Sequence, residues 1–178
     1  MKINGWTSSI IITGAVCLVL FLGVENNKVI IGSTPIDLDL ISNKQMEEVV
    51  KKNPGVLGMR MSLANRYLAE GDFTNALPHY VFIASNDQTG EFKSTALSQI
   101  GWMSYESGEV ALSLEYIKES IRLDSENVLG NTYLGIILLE QNIDKEKGLS
   151  LLKQVLGYSE MKFNEKALVS RYIDKYEE

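Results

Sequence analysis

The stretch IGWMSYESGEVALSLEYIKESIRLDSEN, from Ile100 to Asn127, decides the fold that we expect for this chain. Apolar residues recur in it with the period of an α-helix, on both sides of a break at Gly108. The first half carries a small residue at Gly101, and the second half carries one at Ser113. Because antiparallel helices can approach closely only where side chains are small, the stretch predicts a tight helical hairpin.

The same arrangement occurs once before this hairpin and once after it. A large apolar residue precedes a small one at Leu63-Ala64, Ile100-Gly101 and Leu134-Gly135. Seven residues after each small position comes a turn residue, and a further small residue follows in each second helix: Gly71, Gly108 and Asn142, then Ala76, Ser113 and Gly148. The first small positions are 37 and then 34 residues apart, a period that predicts stacked helical hairpins.

This pattern resembles the tetratricopeptide repeat family, and the second repeat, GEVALSLEYIKESIRLDSEN from Gly108, follows the family's second helix most closely. The resemblance implies an all-α solenoid of about three helical hairpins over residues 56–160. It also implies a groove, lined by the first helix of each hairpin, that holds an extended or helical peptide. The groove positions that match are Met61, Asn65, Leu68, Ser98, Trp102, Tyr105, Thr132, Ile136 and Leu139.

Two interpretations of these nine side chains stay open in the sequence. They line the groove, or they pack against neighbouring helices, as most apolar stripes do. Core packing is at least as plausible for Ile136 and Leu139. For Trp102 we expect an exposed indole that anchors a partner, because aromatic residues are favoured anchors at interfaces.

A solenoid needs helices that cover its two ends. At the start, Ser42-Asn43-Lys44-Gln45 has the sequence of a capping box and predicts a capping helix within residues 42–55. At the other end, residues 161–178 are expected to form a polar-backed final helix over Asn164–Glu177, with Tyr172 on its inner side.

The amino end differs from the rest of the chain. No charged residue occurs from Ile3 to Val24, and these 22 residues would span about 33 Å as a helix, enough for a hydrocarbon core of about 30 Å. We therefore expect a transmembrane anchor over residues 1–24, with a cleaved signal peptide as the alternative. With Lys2 on one side and acidic residues on the other, the amino terminus is expected to be cytoplasmic and the repeats exported. Residues 25–41 are expected to be a tether, with Gly32 and Pro35 as breakers.

The sequence offers little catalytic chemistry. The chain has one histidine, His79, and one cysteine, and no glycine-rich phosphate loop of standard spacing. We therefore expect no enzyme activity, no metal site and no cofactor. The net charge of −6 argues against a nucleic-acid partner, and nothing indicates a small-molecule substrate.

The function expected from these features is that of a membrane-anchored, exported protein-binding module, which holds a polypeptide client for an assembly or maturation machine. The layout of anchor, tether, capping helix and repeats resembles the repeat-bearing subunit of bacterial cytochrome c maturation, which implies apocytochrome c as the client. The alternative is a structural scaffold that joins folded subunits of an envelope, secretion or pilus complex.

Overall fold

The computed structural model describes residues 28–31, 34–37, 41–159, 161 and 163–177. Helices make up nearly all of this part of the chain. They are α1 (Asn43–Lys52), α2 (Leu57–Ala69), α3 (Phe73–Asn86), α4 (Lys93–Glu106), α5 (Val110–Leu123), α6 (Val128–Glu140), α7 (Lys145–Val155) and α8 (Phe163–Glu177). None of the described helices combines the length and apolar character needed to cross a bilayer. The anchor expected at residues 1–24 lies outside the described residues and stays a prediction.

The helices pack in chain order as successive hairpins. The pairs α2 with α3, α4 with α5 and α6 with α7 form the three hairpins, and each second helix also contacts the helix that follows it. First helices touch one another as well, since α4 contacts α6 and α6 contacts α8. One continuous apolar core runs through the hairpins and reaches α8. The expected all-helical arrangement of packed neighbours is confirmed.

The small residues lie where paired helices come closest. A Cβ atom on Gly101 would be 2.5 Å from Ile117 Cγ1 and 3.1 Å from the Ser113 carbonyl oxygen. A Cβ atom on Gly135 would be 3.1 Å from the carbonyl oxygen of Gly148. These contacts confirm the register that the sequence predicts for the second and third hairpins.

The three predicted turn residues share a backbone conformation that side chains rarely adopt. Gly71, Gly108 and Asn142 have φ values of +75°, +87° and +50°. Glycine adopts this left-handed region without steric cost, and asparagine is among the few other residues that tolerate it. Each first helix can therefore end within a few residues of the start of its partner.

Capping helices are present at both ends of the hairpins. Ser42 and Gln45 form the predicted capping box, in which Gln45 N–H donates to Ser42 Oγ and Ser42 N–H donates to Gln45 Oε1. On its inner face, α1 buries Met46 and Val50 in a small apolar cluster with residues of α2. At the far end, α8 buries Leu168 and Ile173.

The segment predicted to be a tether contains secondary structure that the sequence analysis missed. Strand β1 (Lys28–Ile31) pairs antiparallel with β2 (Thr34–Asp37), and Ile30 lies opposite Pro35. The apolar and β-branched residues of both strands favour pairing. Pro35 does not prevent it, because in a two-stranded sheet alternate N–H groups point away from the partner strand.

We expect Gly101→Leu to destabilise the fold by about 1–3 kcal/mol, because the added side chain must displace Ile117 and the backbone at Ser113. Urea denaturation of the full chain in detergent measures the loss. Gly55→Leu is the matched control, since no atom lies within 4 Å of a Cβ placed there. Equal stability of the two variants would contradict the assigned close contact.

Candidate functional site

The nine predicted groove residues belong to the first helices α2, α4 and α6, and α8 continues this series of helices. We call the surface formed by these four helices the first-helix face. Only Asn65 and Tyr105 among the nine are partly exposed on it. The other seven are buried: Met61, Leu68, Ser98, Trp102, Thr132, Ile136 and Leu139. The structure therefore makes these seven part of the packing between helices, and their role in binding stays a prediction.

The expectation that Trp102 is an exposed indole is wrong. Its side chain is only 2% exposed, and its ring stacks on Tyr133 with the centroids 4.7 Å apart. Tyr105 lies against it, with ring centroids 5.3 Å apart. The side of α4 that we assigned to the groove thus meets the first helix of the next hairpin, and Tyr133 covers the indole.

Polar side chains of the same helices also form hydrogen bonds inside the fold. Ser98 Oγ donates to Asn127 Oδ1 at 3.0 Å and lies 2.7 Å from Ser120 Oγ, so it links α4 to the start of the next hairpin. Asn65 Oδ1 accepts a hydrogen bond of 2.6 Å from the hydroxyl of Tyr80. Burial raises the pKa of Tyr80 well above its ordinary value, so the phenol keeps the proton that it donates.

A row of tyrosine and glutamate side chains crosses the first-helix face where α4 and α6 end. The Tyr105 hydroxyl donates to Glu140 Oε2 at 2.7 Å, and the Tyr172 hydroxyl donates to Glu140 Oε1 at 2.9 Å. Gln141 Nε2–H donates to the Tyr105 oxygen at 3.0 Å. One carboxylate thus joins α4, α6 and α8. We call Tyr105, Glu106, Glu140 and Tyr172 the tyrosine–carboxylate row.

The row concentrates negative charge in a partly dehydrated place. Burial, followed by the charge of Glu140, raises the pKa of Glu106 above its ordinary value. Burial and the neighbouring Glu140 also raise the pKa of Tyr105 and of Tyr172. Both phenols therefore remain donors at neutral pH, and a cation brought close to Glu106 and Glu140 would be attracted by both carboxylates.

Sequence reasoning found only Tyr105 of this row as a candidate binding residue. It expected Tyr172 on the inner side of the last helix, and it did not single out Glu106 or Glu140. The available signal was positional, because Tyr105 and Glu140 both stand in the last turn of a first helix. The hydrogen bonds between them depend on how neighbouring hairpins are stacked, which spacing alone does not give.

His79, the one histidine of the chain, is buried in a polar contact between α1, α2 and α3. Its Nδ1 lies 3.2 Å from Arg60 Nη1, and its Nε2 lies 2.9 Å from Glu47 Oε1. Because a guanidinium can only donate, Nδ1 is the acceptor and Nε2–H donates to Glu47. Within the described part of the chain, no group of three or more His, Cys, Asp and Glu residues is arranged to hold a metal ion.

Two comparisons with known proteins give no match that would assign this face a role. No protein-family model matches the chain, and no curated protein matches it.

Trp102→Ala should destabilise the full chain by about 3–5 kcal/mol, as expected for a buried tryptophan replaced by alanine. Trp102→Phe should lower the free energy of unfolding clearly less, because a ring remains to stack on Tyr133. Urea denaturation followed by circular dichroism distinguishes the two. A Trp102→Ala variant as stable as the parent chain would contradict the core position.

Glu106→Gln should raise the melting temperature at pH 7. A carboxyl group whose pKa is raised on folding opposes folding once it ionises, so its contribution to stability falls as the pH rises above its ordinary value of 4.5. The advantage of the variant should vanish below about pH 4, where the carboxyl is protonated in folded and unfolded chains. Glu115→Gln, on the exposed side of α5, is the control. A difference in melting temperature between Glu106→Gln and the parent chain that stays the same at every pH would contradict the raised pKa of Glu106.

Proposed function

We propose that this protein is a membrane-anchored module of the tetratricopeptide repeat type, which holds a polypeptide client for an assembly or maturation machine. The anchor is the segment of residues 1–24, which has no charged residue after Lys2 and would keep the exported repeats close to the membrane surface. Support for the repeat type comes from the close contacts at Gly101 and Gly135 and from the three left-handed turn residues. These close contacts and turns recur along the chain at the spacing of tetratricopeptide repeats.

The observation that carries the binding role is the continuity of the tyrosine–carboxylate row. Tyr105, Glu140 and Tyr172 come from three successive first-helix positions, and all three side chains are partly exposed. A ligand that contacts the whole row must extend across α4, α6 and α8, as a polypeptide can. Tyrosine provides a rigid contact surface with a polar end, which suits binding to a polypeptide.

The charges of the row favour a client segment that carries basic residues. Glu106 and Glu140 lie close enough for the charge of one to raise the pKa of the other, and a lysine or arginine between them would relieve this repulsion. An apolar ligand held by the nine groove positions is less well supported, because seven of those nine side chains are buried. Apocytochrome c remains the specific client that the layout suggests.

Binding of fluorescently labelled, haem-free cytochrome c to the full chain in detergent tests this proposal. We expect Glu106→Lys to weaken binding about tenfold, which corresponds to about 1.4 kcal/mol. Glu115→Lys changes the net charge by the same amount on the exposed side of α5, and it should change the affinity less than twofold. Failure to bind, or equal weakening by both variants, would contradict a client site at the row.

A structural scaffold is the second candidate, and one observation favours it. Helix α3, FTNALPHYVFIASN, has no Asp, Glu, Lys or Arg, and Leu77 and Val81 are exposed on it. An uncharged outer helix suits contact with a folded subunit. Under the scaffold function, Leu77→Asp should abolish co-purification of a membrane complex that Glu106→Lys leaves intact.

A further inference from the structure

We propose that a cavity between α3 and α4 is a receptor for an arginine or lysine side chain of a partner polypeptide, whose apolar residues lie along α3. This site is separate from the tyrosine–carboxylate row, and the inference does not depend on that row. It rests on the shape of the cavity, the direction of its hydrogen-bonding groups and the absence of charge on α3.

The cavity has a volume of about 330 Å³ and is open to solvent. Its lining comes from the start of α3, the end of α4 and the start of α5: Phe73, Thr74, Leu77, Met103, Ser104, Ser107 and Glu109. Sites that hold small molecules measure about 300–1,000 Å³, so this one suits a single long side chain. Phe73, Leu77 and Met103 supply apolar walls against which an aliphatic stem could pack.

Two serine hydroxyl groups of the cavity are arranged as acceptors. Ser104 Oγ donates its proton to the carbonyl oxygen of Ile100 at 2.9 Å, and Ser107 Oγ donates to that of Met103 at 2.9 Å. Both hydroxyl oxygens therefore keep only lone pairs for a ligand. A ligand that fits must be rich in donors.

A carboxylate lies at the same cavity. Glu109 is the exposed residue before α5, and its side chain makes no capping hydrogen bond. This carboxylate and the two serine oxygens together match an ammonium or guanidinium group.

The charge around the cavity favours the same occupant. Glu109 is the single charged residue among the seven that line it, so no cation of the lining competes for the acceptors. Arginine and lysine are the side chains that combine a long apolar stem with a charged head having several donors. An apolar side chain would fill the walls but leave the acceptors dehydrated without partners.

The surface beside the cavity indicates that the basic side chain belongs to a polypeptide. Leu77 and Val81, one turn apart on α3, are 40% and 45% exposed. The other two second helices, by contrast, carry charges: Glu115, Lys118, Glu119 and Arg122 in α5, and Lys145, Glu146, Lys147 and Lys153 in α7. A segment with apolar residues beside its arginine or lysine would cover Leu77 and Val81 while the basic head reaches Glu109.

The chemistry of the cavity can be tested with n-butylguanidinium and n-butylammonium as probes. In nitrogen-15 NMR of the full chain in detergent, we expect saturable shifts of the Ser104, Ser107 and Glu109 amides, with a Kd of about 1–10 mM for ligands so small. Butylurea, which has a similar shape but no charge, should bind at least fivefold more weakly, and pentanoate should not bind. Equal binding of butylurea or pentanoate, or shifts confined to other residues, would overturn the proposal.

Variants separate the cavity from a general effect of negative charge. Glu109→Gln should weaken butylguanidinium binding at least fivefold, whereas Glu115→Gln on α5 should leave it unchanged. Both positions are exposed and neither side chain caps a helix, so both variants should keep the fold. Equal effects of the two substitutions would show that butylguanidinium binding responds only to the net charge of the protein, which would overturn the proposed site.

Photo-crosslinking in intact membranes identifies the occupant. A benzophenone amino acid placed at Leu77 should give an adduct with a segment of another protein in which arginine or lysine neighbours apolar residues, and Glu109→Lys should reduce this adduct at least fivefold. The same amino acid at Leu112, which is 42% exposed on α5, should not give this adduct. An adduct with residues 1–27 of this chain, with a second copy, with lipid, or no adduct at all, would overturn the proposal.

Discussion

The close approach of the two helices within each hairpin is the constraint on which the rest of this structure depends. At Gly135 a Cβ atom would be 2.7 Å from Leu152 Cδ2, and at Gly148 one would be 2.8 Å from Leu139 Cγ. A side chain at either position would have to displace Leu152 or Leu139 and would crowd the backbone carbonyl of the other glycine, which is 3.0–3.1 Å from the added Cβ atom. Because the helices come so close, large side chains on either side of the contact point outward, toward the neighbouring hairpins. There they fill the space between repeats.

This outward packing explains why the first helices are buried on several sides. In α6 every residue from Leu129 to Leu139 is buried, because α7 covers one side and α4, α5 and α8 cover others. Trp102 and Tyr133 show the same principle, since the ring of one hairpin is covered by the ring of the next. A first-helix side chain that faces away from its own hairpin partner, as Trp102 does, can therefore pack on the adjacent repeat and be shielded from solvent.

Polar side chains connect the repeats where the apolar core ends. Glu140 accepts hydrogen bonds from tyrosines of α4 and α8, and Arg60, His79 and Glu47 connect the first hairpin to α1. Such contacts have directional requirements, so they fix the orientation of neighbouring helices more narrowly than apolar packing does. The two surfaces proposed for binding, the tyrosine–carboxylate row and the acceptors beside α3, consist of groups at the margins of these contacts.

The sequence by itself determined the features that depend on neighbouring residues in the chain. Helical periodicity, the small residues at Gly101 and Gly135, the turn at Gly108 and the capping box at Ser42 are local requirements, and each was found where the pattern predicts it. A contact within one hairpin can be predicted from the sequence because its two helices are joined by a short turn. The short turn allows the second helix few registers against the first.

Only the tertiary structure decided which side of each first helix remains open. The position of Trp102 in the sequence fits a groove or an interface with the next helix equally well. Which of the two environments the side chain has depends on the rotation of one hairpin against the next. That rotation places Tyr133 over the indole. The meeting of Tyr105, Glu140 and Tyr172 has the same origin, as do the acceptors that surround the cavity at Leu77. Contacts between repeats join residues far apart in the chain, so no local pattern fixes them, and the exposed surface proposed for binding is what those contacts leave uncovered.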